Sequence, residues 1–227
     1  MSQQNSVNAV DRVVFFDDFP FDAGATLTLP WTVTDVSAAG APTNDFVADQ
    51  ANGVFRLTLA ADNELETLAL TFGDHLMIDP TLNPRFKARV HLNHDGAGTQ
   101  FSADQRVAIG LCSTYNATWD SVAEHAWFRI EGANNNVLIE GDDGTSDIDD
   151  IDSGLDYSDS TWHTYEVFID ADQTAWFTFD GQPAGSTAIT ALASTNLMQP
   201  IIAIQKDAGT EAPALTVDYV QVTWDRV

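Results

Sequence analysis

Positive charge is scarce in this chain of 227 residues. Two lysines, Lys87 and Lys206, and seven arginines stand against 27 aspartates and seven glutamates, a formal net charge of −25. A surface of that sign repels phosphate backbones and anionic lipid, which sets aside nucleic acid and membrane as direct partners. Cysteine is nearly absent too. Cys112 stands alone, so no internal disulfide is available, and no His or Asn motif marks the thiol as a nucleophile. It is expected to pack as a small hydrophobe. No apolar run reaches the ~18 residues of a membrane-spanning helix. The opening M-S-Q-Q-N-S-V-N-A-V-D-R has no basic segment and no apolar one, so no signal peptide is expected and synthesis in a cytoplasm is. Helical pattern is also missing: the Ala-rich pieces at 37–41 and 188–193 are short and interrupted.

What the chain does have is alternation. In T-W-H-T-Y-E-V-F-I-D-A-D-Q-T-A-W-F-T-F-D-G (Thr161 to Gly181), His163, Tyr165, Val167 and Ile169 share one parity, and Ala175, Phe177 and Phe179 share another. Period-two spacing of bulky apolar residues marks half-buried strands, and Asp170 to Gln173 supplies the turn between them. Alternation recurs at Phe55–Leu59, Arg106–Cys112 and Ala126–Glu131 and continues less cleanly at Leu65–Phe72, while Val13–Phe16, Trp31–Val36, Val137–Glu140, Pro200–Gln205 and Leu215–Trp224 read as further short strands. In the last of these the parity shifts between Tyr219 and Val220, as a bulge or burial on both faces would require. Roughly a dozen strands, Gly, Asn and Asp turns, and no Pro/Ser-rich linker predict an all-β antiparallel sandwich of the jelly-roll kind. One domain is expected over 11–227, preceded by a flexible polar arm at 1–10.

The clearest strand is Arg85–Leu92. Phe86, Ala88, Val90 and Leu92 point one way; Arg85, Lys87 and Arg89 point the other. Either these cations pair across strands with acids such as Glu64 or Glu66, or they form a contact patch for an acidic partner. Trp127 and Trp176 fall on the parity opposite to the apolar set of their strands. They are the candidate sugar-stacking platforms, unless both faces of those strands are covered. Asp142 to Asp159 carries eight aspartates, yet no D-x-D-x-D-G run with a later Glu occurs. A solvated acidic loop is expected there rather than a calcium loop.

T-W-H-x-Y-x-V followed by F-x-x-D-G resembles the concanavalin A-like (laminin G-like) jelly-roll superfamily. The terminal L-T-V-D-Y-V-Q-V (Leu215 to Val222), the opening F-F-D-D-F and N-G-V-F-R-L-T-L fit the same layout, and together they span residues 15 to 222. The resemblance implies three kinds of work: sugar binding, glycan hydrolysis, or structural attachment. The glucanase branch carries E-x-D-x-E on one strand, and this chain has no such triplet; Glu64 and Glu66 lack the third member, and Glu131 and Glu140 stand apart in sequence. No enzymatic activity is expected. The same branch implies a structural calcium ion, here at Asp18, Gly53 and Asp218.

The segment A-W-F-R-I-E-G-A-N-N-N-V-L-I-E-G-D-D-G-T (Ala126 to Thr145) resembles jelly-roll modules of tailed-bacteriophage virions. That likeness implies a decoration or cement protein on the outer capsid surface, made in the host cytoplasm. Its partner would be the major capsid protein, and its assembly a homotrimer. A carbohydrate-binding module meeting a surface glycan is the alternative, and a diverged glycan hydrolase the third reading.

Overall fold

Among the described residues, fifteen strands account for nearly all the regular structure. The computed structural model describes residues 11–21, 24–48, 53–95 and 100–226; the arm expected at 1–10 lies outside them. Among the described residues there is no α-helix, and one single-turn 3₁₀ helix, Trp119–Ser121.

The strands are β1 (Arg12–Asp17), β2 (Thr32–Asp35), β3 (Thr43–Phe46), β4 (Phe55–Thr58), β5 (Glu66–Thr71), β6 (Arg85–Asn93), β7 (Gln105–Cys112) and β8 (Glu124–Glu131). They continue as β9 (Asn136–Asp143), β10 (Asp147–Asp156), β11 (Trp162–Ile169), β12 (Thr174–Phe179), β13 (Gln182–Ala188), β14 (Gln199–Lys206) and β15 (Ala214–Asp225). All pairings are antiparallel. One sheet of eight strands runs β13-β12-β11-β6-β15-β4-β3, with β1 also on β15; the other, of seven, runs β10-β9-β8-β7-β14-β5-β2. This is the β-sandwich that the alternation implies.

The core lies between the sheets and is built from the inward parity of each strand. β6 contributes Phe86, Ala88, Val90 and Leu92; β11 contributes Tyr165, Val167 and Ile169; β7 and β8 answer with Val107, Ile109, Leu111, Ala126, Phe128 and Ile130. Phe128 meets both Tyr165 and Phe177 edge-on, with centroids 5.3 and 5.2 Å apart, so aromatic contacts tie one sheet to the other.

β15 serves two neighbours along one side. Ala214–Val217 pairs with β4, and Val220–Asp225 with β1. Between the two halves its pairing with β6 slips from Val217 to Tyr219, leaving Asp218 in a bulge. That bulge restores inward parity for both Val217 and Val220, which explains the shifted pattern.

Three stretches differ from the expectation. The acidic segment is not a loop: its residues complete β9 and form β10, which is the edge of the seven-stranded sheet. Two register shifts and positive φ at Asp150 and Gly154 let so polar a sequence pair with β9. Charge on an edge strand opposes pairing with another chain. Two strands form where the sequence offers no alternation: β3, shortly after the Ala-rich piece at 37–41, and β13, an edge strand carrying Pro183 and Gly185.

Candidate functional site

The outer face of the eight-stranded sheet is an open surface laid out in cross-strand rows. Alternation turns Arg85, Lys87 and Arg89 outward from β6, and register sets their neighbours. One row reads Trp176, Phe168, Arg85, Thr223, Val14; the next reads Thr178, Glu166, Lys87, Gln221, Phe16. The Arg85 guanidinium lies 3.9 Å from the Phe168 ring centroid, and Arg89 lies 4.8 Å from that of Trp162. Trp176 is 50% exposed, with its indole N–H donating to Asp170 Oδ2 at 2.7 Å. Val14 and Phe16 are 60% and 54% exposed. A groove of ≈ 200 Å³ runs between Arg85, Lys87, Glu166, Phe168 and Trp176.

The three cations therefore share one face, as their parity requires, but the expected acids are not their partners. Lys87 Nζ is 2.7 Å from Glu166, and Arg89 Nη1 is 2.7 Å from Asp218 Oδ2. Glu66 lies elsewhere, beside Lys206. The hydrogen bond to Glu166 raises the Lys87 ammonium above its ordinary value. Pairs as exposed as Lys87–Glu166 contribute about 0–1 kcal/mol each.

Part of the outer face of the seven-stranded sheet is covered, and beside the covered part a pocket of ≈ 230 Å³ opens between Arg106, Trp119, Asp120 and Arg129. Small residues floor the covered part: Ala69, Ala203 and Ala108 stand in register across β5, β14 and β7, and Gly110 lies opposite Ile201 two residues along. The segment after β7 folds over that floor. Its Trp119 and Val122 join Cys112, Trp127 and Ile201 in a second hydrophobic cluster. Gly110 makes room for this arrangement, since a Cβ there would collide with the Ala126 carbonyl and fall 2.8 Å from Trp127 Cβ. Trp127 is 0% exposed, stacked on His125 at 3.8 Å. This corrects its reading as a sugar platform: outward parity does expose a ring, but the covering segment buries it. Cys112 is buried and its thiol is raised by desolvation, in keeping with a packing role.

The same face shows what spacing along the chain could not. Glu131 and Glu140 do not stand apart; strand pairing brings both to Arg129. The Arg129 Nε donates to Glu131 Oε2 at 2.6 Å, and Nη1 donates to Asp120 at 2.8 Å and to Glu140 at 3.3 Å. Glu140 is 1% exposed and also accepts the Trp127 indole N–H at 2.5 Å. Burial lifts its carboxyl to about 8, against the pull of Arg129 and Trp127. One guanidinium thus gathers three acids: buried Glu140, partly buried Glu131, and exposed Asp120 on the covering segment itself. The shared parity of Trp127, Arg129 and Glu131 was the available signal; the partner strand was not.

The chain around Asp18 meets Gly53 on one side and β15 just past Asp218 on the other. Asp17 pairs with Val220, and buried Gly53, at φ +78°, packs so near the Phe19 carbonyl that a Cβ would collide with it. The donor set does not fit calcium. Arg89 already brings positive charge to Asp218, which leaves Asp18 as the free carboxylate where calcium takes 6–8 oxygens.

No protein-family model and no curated protein sequence matches the chain. Solved structures do. An endo-1,3-β-glucanase from Streptomyces sioyaensis superposes with a TM-score of 0.66 at 17% identity, covering 94% of this chain and 95% of its own. The carbohydrate recognition domain of Emp47p gives 0.59 at 12%, covering 93% and 95%. A protein of unknown function from Shewanella oneidensis MR-1 gives 0.61 at 13%, covering 96% and 88%. The fold is that of the concanavalin A-like lectin and glucanase jelly rolls. Identities this low carry the fold and nothing finer.

Proposed function

We propose that this chain is a non-enzymatic attachment module of a tailed-phage particle, decorating the outer capsid surface through the outer face of its eight-stranded sheet. The observation that carries the reading is the contrast between the two outer faces. One holds cations, half-exposed aromatics and weak ion pairs in ordered rows; the other is covered in part by Trp119 and Val122, and its acids are tied to a single arginine. A hydrolase needs two carboxyl groups flanking an open space for substrate, whereas Glu131, Glu140 and Asp120 all converge on Arg129. The partner that fits the open face is acidic and partly apolar, and the major capsid protein of the particle is that partner. The likeness of Ala126–Thr145 to virion modules supports this choice. A net charge of −25 keeps the module off packaged nucleic acid. Attachment as a homotrimer at symmetric points would multiply individually weak contacts.

A second reading has its own observation. Trp176 is half exposed, its indole is fixed by Asp170, and Thr178 and Glu166 line the adjoining groove. That is an arrangement able to stack a sugar.

Co-sedimentation with particles stripped of the protein tests the proposal. Saturable retention at a symmetric number of sites, with no turnover of β-glucans, is expected. Absence of retention together with saturable, Trp176-dependent binding on a glycan array would replace it with the carbohydrate-binding reading.

A further inference from the structure

The turn between β4 and β5 brings Asp62, Glu64 and Glu66 together, one oxygen from each lying within 4.8 Å of the others. Calcium binds oxygen at 2.3–2.6 Å, so ligands on opposite sides of one ion stand roughly 5 Å apart. All three oxygens can therefore touch the same ion.

Grouped acids alone would mean little on so acidic a chain; the decisive feature is Glu66. It is 0% exposed. Its Oε2 accepts the Ala60 N–H at 2.5 Å and faces Lys206 Nζ at 3.5 Å. Its Oε1 is buried with no hydrogen-bond partner. A buried carboxylate oxygen left without a partner is costly. Lys206 does not serve it, because that ammonium is turned to the carbonyls of Ala60, Gly209 and Glu211. The bare oxygen packs directly against Gly40, where the missing side chain lets it approach. A Cβ at Gly40 would collide with Glu66 Oε1 and come within 3.1 Å of Asp62 Oδ2. Two oxygens from different residues thus converge beside Gly40, which only a residue without a side chain permits.

We infer that Asp62, Glu64 and Glu66 bind one divalent cation of the calcium type, with Glu66 Oε1 as the buried ligand and solvent completing the shell at Asp62. Three carboxylates against one ammonium leave a charge of −2, which a divalent ion cancels. An irregular carboxylate set on a surface turn suits calcium better than magnesium, which demands near-octahedral geometry. The inference is independent of the attachment role.

Isothermal titration of the chelator-treated protein with calcium chloride, in about 0.15 M salt to screen diffuse counterions, tests it. One-to-one binding is expected for the wild type. Asp62→Asn/Glu64→Gln, which alters the two less buried ligands, is expected to weaken it by about tenfold or more. Asp218→Asn is expected to leave it unchanged, and a calcium-dependent rise in Tm is expected to follow the same pattern. Absence of stoichiometric binding, as when Glu66 Oε1 shares a proton with Asp62, would overturn the inference. So would binding that survives the double substitution or is lost with Asp218→Asn.

Discussion

His163 Nδ1 lies 2.6 Å from Asp180 Oδ2, which ties the start of β11 to the turn that ends β12. The same Asp180 accepts the Thr164 N–H at 2.7 Å, and His163 Nε2 accepts the Ser158 N–H at 2.9 Å. The imidazole therefore donates from Nδ1. Asp180 and Gly181 both have positive φ, as a two-residue hairpin turn requires. The Trp-His and Asp-Gly pairs of the sequence are thus two ends of one lock. Replacing Asp180 with Ala leaves His163, itself buried, without its acceptor. A loss of about 1–3 kcal/mol in chemical denaturation is expected; an unchanged midpoint would show that the lock contributes nothing.

Trp127 and Glu140 are structural on this account. Trp127→Ala removes the centre of the second cluster and should cost about 3–5 kcal/mol by urea unfolding. Gly110→Ala forces a methyl group against the Ala126 carbonyl and Trp127 backbone, and should cost about 1–3 kcal/mol. Neither change should alter attachment of the protein that remains folded. A Trp127 variant of native stability would contradict the packing role of the covered ring.

Two buried groups on this face respond to pH with opposite sign. Burial pulls His125 down to about 4. Its Nδ1 sits 3.2 Å from the Val122 carbonyl and its Nε2 has no partner. Unfolded, a histidine titrates near 6.5, so the His125 contribution is full above that pH and is lost between about 6.5 and 4. The difference corresponds to about 3 kcal/mol. Glu140, lifted to about 8, favours its protonated form in the fold and adds stability as pH falls from about 8 to 4.5. In a Glu140→Gln background, Tm should fall steadily below about pH 6.5, and His125→Phe should flatten that fall. An equal slope with and without His125 would refute the assignment.

Much of the fold was legible because it is local. The alternation at Arg85–Leu92 and at Thr161–Phe179 placed β6, β11 and β12 and sorted their faces correctly, and the parity break near Tyr219 announced the bulge at Asp218. What failed was non-local. Trp127 had outward parity, but nothing in its own strand reveals that Trp119 and Val122 return to cover it. The partners of Lys87 and Arg89, at positions 166 and 218, depend on strand order. Glu131 and Glu140 meet through Arg129 for the same reason. The acidic stretch misled differently: β propensity counts against Asp, yet an edge strand can carry it because half its backbone faces water.

That edge gives another prediction. Asp147, Asp149 and Asp152 lie exposed on β10, and desolvation with neighbouring acids raises Asp149. Substituting all three with Asn or Thr should leave the fold intact but promote edge-to-edge association. Light scattering at constant concentration should show higher-order species; a scattering profile like the wild type would mean that the charges do not guard the edge.

The central claim assigns attachment to one outer face and denies it to the other. Its most direct measurement is co-sedimentation of stripped particles with Arg85→Glu/Lys87→Glu, beside Trp119→Phe as a change on the partly covered face. Retention should drop at least about tenfold for the charge reversal, which sets new acids against an acidic partner, and stay at the wild-type level for Trp119→Phe. Full retention of the charge-reversed protein would contradict the account.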